Sequence, residues 1–394
     1  MAKKTVEDID VVGKRVLVRV DFNVPQNKDG TISDDTRIRA CLPTIKYLIQ
    51  KQSRIILCSH LGRPDGKVKE ELRLTPVAKR LSELLGMPVK TTKDCIGPEV
   101  EAAVAGLKKG EVLLLENLRF HTEEEKNDPH FAESLARLAD VYINDAFGVS
   151  HRAHASVVGV TRYLPAVAGF LLDKEIKALG GILESPARPF DAVIGGAKVS
   201  DKLGVLQNIV DRVDALLIGG GMAATFLRAK GYGVGASSVE IDRLEYVQRL
   251  TTKAKSVGAR ILLPSDVIVA KRLEAGARTL RVLVADIPAD WLIADIGPDT
   301  IARYSQEIRN CWTVLWNGPM GVFEIPQLAQ GTRSIAQVIA NLKGTKVVGG
   351  GSTAEAVEAM GLTDKMTHVS TGGGASLEFL EGRVLPGIAA LQDK

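Results

Sequence analysis

Cysteine is scarce in this chain and scattered. Cys41, Cys58, Cys95 and Cys311 are the only four among 394 residues, and no two are spaced as CxxC. That excludes a zinc ribbon or a disulfide-stapled scaffold and predicts a reducing compartment, the cytoplasm. No stretch of about 18 apolar residues occurs, so no membrane span is predicted. The opening residues MAKKTVEDIDVVGKR carry charge where a secretory signal needs an apolar core. No block of five like charges occurs and the net charge is only +4. Such a mild bias gives no footprint for nucleic acid but suits a small anionic ligand. Low-complexity segments, internal repeats of 20–50 residues, a Walker A pattern and a Ser–His–Asp arrangement with a nucleophile elbow are all missing.

What is there is a rhythm. Apolar, β-rich runs recur at 15–20 (RVLVRV), 54–59 (RIILCS), 111–116 (EVLLLE) and 140–145 (DVYIND), with helix-like stretches such as TRIRACLPTIKYLIQ and TPVAKRLSELLG between them. The second half repeats it at 190–196, 215–221, 259–265, 311–317 and 345–351. Continuous apolar strands alternating with helices predict parallel sheets covered on both faces. The fold class is therefore α/β: two doubly wound, Rossmann-like domains, as the length also implies. A charged amphipathic stretch ending in a Pro-rich segment, LDKEIKALGGILESPARPF, marks the border. The expected division is 1–171, a joining helix and linker at 172–189, a second domain at 190–376, and a last segment at 377–394.

In the second half, four apolar strands run into glycine: GGAK (195–198), GGGMAATF (219–226), NGPMGVFE (317–324) and GGGSTAE (349–355). A fifth cluster, STGGGAS (370–376), is read as opening the last helix. Glycine lets backbone amides approach a phosphate closely, and a helix N-terminus favours its charge. One such turn is an ordinary chain reversal; five in one domain predict a phosphate-rich ligand beyond the carboxyl ends of the strands. Gly219, Gly221, Ala224 and Gly349, Gly351, Ala354 match the dinucleotide pattern loosely. Neither is followed by the acidic residue that a dinucleotide ribose requires, so a mononucleotide is favoured over NAD. Lys198 and Lys202, four apart at an expected helix start, are read as sharing one face beside that cradle.

The strand ends of the first half carry cations instead. Asp21 and Asn23 follow the first strand, His60 and Arg63 the second, Arg119 the third, and His151, Arg152 and His154 the fourth. Arg37 opens the first helix. If the strands are parallel, these residues converge on one edge and suit a small, multiply anionic, hydroxylated substrate, since arginine forks grip phosphate and carboxylate at two points. HRAH lacks the spacing and glutamate of a helical zinc site. Phosphoryl transfer between two bound substrates needs no covalent residue, only positioning and positive charge.

RVDFNVP, SHLGRPDG, LLENLRFHTEEE, NDAFGVSHRAHAS, GGAKVSDK, GGGMAATFL, WNGPMGVFE and STGGGASLE together closely resemble phosphoglycerate kinase, in family order, from about residue 5 to the C-terminus. The resemblance implies reversible, direct phosphoryl transfer between ATP and 3-phosphoglycerate, giving 1,3-bisphosphoglycerate and ADP, in glycolysis. It also implies hinge bending, a usually monomeric enzyme, no nucleic-acid or membrane partner, and a C-terminal helix returning to the first domain. It assigns the phosphoglycerate to Asp21, Phe22, Asn23, Arg37, His60, Leu61, Gly62, Arg63, Arg119 and Arg152. It assigns the nucleotide to Lys198, Lys202, Gly219, Gly220, Ile293, Asn317, Glu324, Gly350, Gly351, Ser352 and Thr353. Arg37, Lys198, Lys202 and the amides of Gly372, Gly373 and Gly374 would serve the transferring group. Many relatives have aspartate where this chain has Ser352, and that aspartate helps hold Mg²⁺. Here Mg²⁺ is expected to be held mainly by nucleotide oxygens and water, with the Ser352 hydroxyl as the chain's own candidate ligand. Ile293 stands where relatives often have a small residue. Two rivals remain at this point: an NAD(P)-dependent oxidoreductase, which lacks its ribose acid, and a non-catalytic binding protein of the same fold, whose only support is Ser352.

Overall fold

The computed structural model of the chain describes residues 2–394, and these divide into two compact units. The first comprises residues up to Lys177 together with Val384–Lys394; the second is Ala178–Arg383. The return to the first unit thus begins at Val384, and residues 377–383 stay with the second.

The first unit is built on six parallel strands: β1 (Arg15–Arg19), β2 (Arg54–Cys58), β3 (Val89–Thr91), β4 (Val112–Leu114), β5 (Val141–Asn144) and β6 (Ala166–Ala168). Their spatial order is β3-β4-β2-β1-β5-β6. β1, β2 and β5 are buried along nearly their whole length, which is why they read as unbroken apolar runs. The helix Thr36–Gln50 spans the stretch TRIRACLPTIKYLIQ and turns Ile38, Cys41, Ile45 and Leu48 inward at helical spacing. They join Val16, Val18, Ile55, Leu57 and Ile143 in one core. The chain's last helix, Pro386–Ala389, docks here: the Gly387 amide donates to Ser150 O at 2.8 Å and Asn144 Nδ2 to Gly387 O at 3.1 Å.

Helix Phe170–Glu184 carries the chain into the second unit. Six more parallel strands follow: β7 (Phe190–Ile194), β8 (Ala215–Ile218), β9 (Arg260–Leu262), β13 (Thr313–Asn317), β14 (Thr345–Gly349) and β15 (His368–Val369). They lie in the order β15-β14-β13-β7-β8-β9. A separate antiparallel sheet of β10 (Asp266–Ala270), β11 (Thr279–Leu283) and β12 (Leu292–Ile296) is inserted between β9 and β13, an addition to the two-sheet reading. The STGGGAS cluster opens the helix Gly374–Leu380, which is not the last one.

In each large sheet the order reverses once. The chain builds outward from β1 through β2 and then resumes on the other side with β5. It builds from β7 through β8 and β9 and resumes at β13. Such a reversal splits two connections to opposite faces and opens a crevice at the carboxyl ends of the flanking strands. The crevices fall between β1 and β5 in the first unit and between β7 and β13 in the second.

Candidate active site

The first crevice is furnished with charge. Asp21, just beyond β1, is buried, and its Oδ2 accepts from Arg37 Nη1 at 2.6 Å. His60, just beyond β2, is also buried; its Nδ1 lies 3.2 Å from Arg19 Nη2 and 4.0 Å from Asp21 Oδ1. Burial drives the His60 pKa well below its ordinary value, and Arg19, Arg119 and Arg37 add to the effect. The ring is therefore neutral. Because a guanidinium can only donate, Nδ1 accepts from Arg19, which leaves Nε2 as the donor. Burial, with Arg19, Arg119 and Arg152 close by, pushes His154 down to about 3. His60 and His154 are thus held neutral, and the arginines contribute the charge.

The loops between them are tied together. Gly62 N donates to Asn23 Oδ1 at 2.8 Å, and Arg119 Nη1 donates to Gly62 O at 2.9 Å. Arg119 belongs to a 3-10 turn, Leu118–Phe120, pinned through Asn117, whose side chain also bonds both Leu61 N and Leu61 O. Phe22 and Leu61 are buried with their backbones engaged: Phe22 N donates to Ser59 Oγ at 2.9 Å and Leu61 N to Asn117 Oδ1 at 3.2 Å, so they shape this edge from behind. Arg63 and Arg152 are exposed; Arg152 lies near enough to Arg119 and His154 to depress both pKa values.

Sequence reasoning passed over the support beneath this cluster. Arg19 reads as an ordinary strand residue, yet its side chain is 1% exposed. Its Nε donates to Ser156 Oγ at 2.8 Å, and that hydroxyl donates to Glu124 Oε1 at 2.6 Å. Glu124 is fully buried, and burial raises its pKa against the pull of Arg19. An unpaired buried charge is costly, so a buried arginine implies a buried acid. The signal was the glutamate run TEEE, but nothing local says which glutamate turns inward.

In the second unit all five glycine turns follow strands of one parallel sheet and so lie on one edge. They do two different jobs. The turns after β7, β8 and β13 pack against one another, backbone to backbone: Gly195 N donates to Asn317 O, Gly196 N to Pro319 O and Gly220 N to Met320 O, at 2.9–3.1 Å. A Cβ on Gly318, whose φ is +100°, would sit 2.2 Å from Gly195 O. By contrast, a Cβ on Gly351 or Gly373 would meet nothing within 4 Å. Those two face open space, where an anion can reach the amides. Gly350, at φ +88°, turns the chain into helix Gly351–Ala359, and Thr353 Oγ1 accepts from Gly318 N at 2.6 Å.

Lys202 and Asn317 meet at this edge. Lys202 Nζ donates to Asn317 Oδ1, and burial lowers the lysine pKa. Asn317 is wholly buried and its Nδ2 has no hydrogen-bond partner. A buried donor left unpaired costs about 1–3 kcal/mol, and a ligand oxygen would relieve it. Lys198 departs from the expected pairing. It lies in the loop before the 3-10 turn Ser200–Lys202, so the two lysines do not share a helical face. The cause is Glu240, whose Oε2 accepts from both Val199 N and Ser200 N, at 2.6 and 3.2 Å, and winds the chain tightly there. Ile293, in β12, is nearly buried; its N donates to Ser237 Oγ at 2.9 Å. The next residue's carbonyl, Ala294 O, accepts from Val322 N at 3.0 Å, so Ile293 adjoins the loop of exposed Glu324.

Ser352 is exposed, and the first turn of its helix holds no acidic residue. Among the described residues, the one cluster of three potential metal-ligating side chains lies in the first unit, at Asp94, Cys95 and His121.

The family model described as "Phosphoglycerate kinase" matches residues 6–383. The chain is 58% identical over 394 residues to the phosphoglycerate kinase of Moorella thermoacetica, covering all of both chains. It is 59% identical to that of Chloroflexus aurantiacus, again over the full length of both. Among solved structures it is similar to phosphoglycerate kinase from Coxiella burnetii, with a TM-score of 0.90, 41% identity and 98% of each chain covered. It is similar also to that from Pyrococcus horikoshii OT3, with a TM-score of 0.86, 34% identity, and 99% and 98% covered.

Proposed function

We infer the workings of this chain from one premise: it belongs to the phosphoglycerate kinase family, and so is a phosphotransferase acting between ATP and 3-phosphoglycerate. The observation that carries the residue-level reading is the contrast between the two crevices, one lined by arginine and the other by glycine turns with an unpaired buried amide.

The first unit takes 3-phosphoglycerate. Arg63, Arg119 and Arg152 grip its phosphate, Asp21 and Asn23 accept and orient its hydroxyl, and neutral His60 donates through Nε2. Phe22, Leu61 and Gly62 complete the seat. The second unit takes the nucleotide. Lys202, Asn317 and the amides from Gly350 to Thr353 hold its phosphates, Glu324 the ribose, and Gly219, Gly220 and Ile293 the adenine. Ile293 fills space that a smaller residue would leave open, which tightens that wall.

In the transfer, a carboxylate oxygen of 3-phosphoglycerate attacks the γ-phosphorus in line. The new P–O bond makes an acyl phosphate, the bond to the β-phosphate oxygen breaks, and ADP leaves with its electron pair. The nucleophile is already an anion, so no base is needed. The task is to neutralise charge on the transferring group, which falls to Arg37, Lys198, Lys202 and the amides of Gly372, Gly373 and Gly374. Both substrates must meet away from water, so closure by bending about helix Phe170–Glu184 belongs to the reading. Mg²⁺ would arrive with the nucleotide, held mainly by nucleotide oxygens and water, with the Ser352 hydroxyl as the chain's own candidate ligand. We place the enzyme in the cytoplasm as a monomer; the four buried free thiols suit a reducing compartment.

The test is a coupled assay of ATP-dependent phosphorylation of 3-phosphoglycerate with Mg²⁺ titrated, for the natural chain and Ser352→Asp. Turnover by both, with a lower Mg²⁺ requirement in the variant, is the expected result. Turnover only in the variant would make the natural chain a binding protein. Turnover in neither would sink the site assignment.

A further inference from the structure

We propose that Asp94, Cys95 and His121 form a binding site for a borderline transition-metal ion, Zn²⁺ above all, in the first unit and apart from any nucleotide-borne Mg²⁺. The sheet register builds it. β3 and β4 are parallel neighbours, with Thr91 opposite Leu114. The loop after β3 and the turn after β4 therefore leave from the same edge, the first bringing Asp94 and Cys95, the second ending at His121.

One ligand atom from each residue lies within 4.8 Å of the others, and Asp94 Oδ1 stands 2.6 Å from His121 Nε2. Tetrahedral Zn²⁺, with bonds of about 2.0–2.3 Å, spaces its ligands by roughly 3.3–3.7 Å. The carboxylate and imidazole need only part by about 1 Å while the thiol closes in. The site is held from behind. Asp94 O accepts from Thr92 Oγ1 at 2.7 Å, Asp94 Oδ1 accepts from Cys95 N at 2.6 Å, and the His121 ring rests against Phe131. Exposure is graded: Asp94 is exposed, His121 about a quarter exposed by side chain and Cys95 fully buried. An ion thus arrives at the carboxylate and seats against sulfur, with water as fourth ligand on the open side.

A mixed S, N and O set selects Zn²⁺ or Co²⁺ over the hard ions Mg²⁺ and Ca²⁺. Binding expels the thiol proton to solvent, so affinity rises with pH. Without metal, Asp94 Oδ1 and His121 Nε2 satisfy each other at 2.6 Å, which is the alternative to be beaten.

The metal-free full chain would be titrated with Zn²⁺ against a chromophoric chelator and, separately, with Co²⁺ while thiolate-to-cobalt charge-transfer absorption is followed. One equivalent should bind, undisturbed by excess Mg²⁺. Cys95→Ser should lose the charge-transfer band, and His121→Gln should keep a band while losing about tenfold or more in affinity. Circular dichroism would verify that both variants fold, and His121→Gln, at a partly exposed position, keeps the test open if Cys95→Ser does not. No stoichiometric binding, a band that survives Cys95→Ser, or unchanged affinity in His121→Gln would each overturn the proposal.

Discussion

Gly318 and Gly351 look alike in the sequence, each close behind an apolar strand, yet alanine at the two positions should separate folding from nucleotide binding. At Gly318 the backbone is left-handed at φ +100°, and the added Cβ would lie 2.2 Å from Gly195 O. That oxygen cannot step aside, because its turn is pinned by Gly195 N to Asn317 O and Gly196 N to Pro319 O. The left-handed backbone costs a side chain roughly 1–2 kcal/mol and the overlap about 1–3 kcal/mol more. A loss of about 2–5 kcal/mol lowers the melting temperature of a unit this size by roughly 5–15 °C. At Gly351 the Cβ meets nothing within 4 Å, and the residue opens the helix Gly351–Ala359. Alanine there is favoured by up to about 1 kcal/mol, so the melting temperature should hold or rise slightly. The methyl group would instead occupy the space through which phosphate oxygens approach the amides. Losing one charge-assisted hydrogen bond, about 1.5–3 kcal/mol, raises KM for ATP roughly 10- to 100-fold. Thermal melts and steady-state kinetics on both variants decide the matter. If Gly351→Ala melts as early as Gly318→Ala, or keeps its KM for ATP, the division of labour among the glycine turns is wrong.

Three more outcomes are expected. Arg37→Met should lower kcat about 10²- to 10³-fold with KM for ATP nearly unchanged, since Arg37 is tied to Asp21 in the first unit; a selective rise in KM for ATP would contradict this. His154, held near 3 in the folded chain against an ordinary 6.5, contributes stability that is complete above about pH 6.5 and lost as pH falls toward 3. His154→Gln should flatten the acid limb of a denaturation profile, and an unaltered limb would refute the assignment. Asp191 is buried with neither oxygen hydrogen-bonded, and burial raises it to about 7. Its contribution is present below its ordinary 3.8 and lost as pH rises through 7. Asp191→Asn should therefore be more stable at pH 8, by up to about 4 kcal/mol, with little gain at pH 3.5. An equal gain at both pH values would point to packing rather than charge.

Much of this architecture can be read along the chain because burial on both faces leaves a strong local mark. RVLVRV, RIILCS and WTVLWNG each contain a central strand, and TRIRACLPTIKYLIQ is a helix from end to end. β3 and β6 escape notice because VKT, with its last two residues exposed, and AVA, with two small alanines, make no bulky apolar run. The sheet of β10, β11 and β12 escapes as well: β11 is only partly buried, and its arginine interrupts the apolar pattern. Lys198 and Lys202 show a subtler failure. Spacing of four implies one helical face only where a helix exists, and Glu240, forty residues on, imposes a 3-10 turn instead.

By itself the sequence determined the α/β class, the pairing of an arginine-rich half with a glycine-rich half, and the motifs that place the chain in its family. These are local matters, fixed by side-chain type and spacing. Only the tertiary structure decided which glycines support their neighbours and which face open space, because that depends on atoms brought in from other strands. It alone seated Arg19 against Ser156 and Glu124 beneath the substrate edge, and made His60 neutral by burying it among guanidinium groups. Charge state and close approach are properties of an environment, and the environment is assembled from residues far apart in the chain.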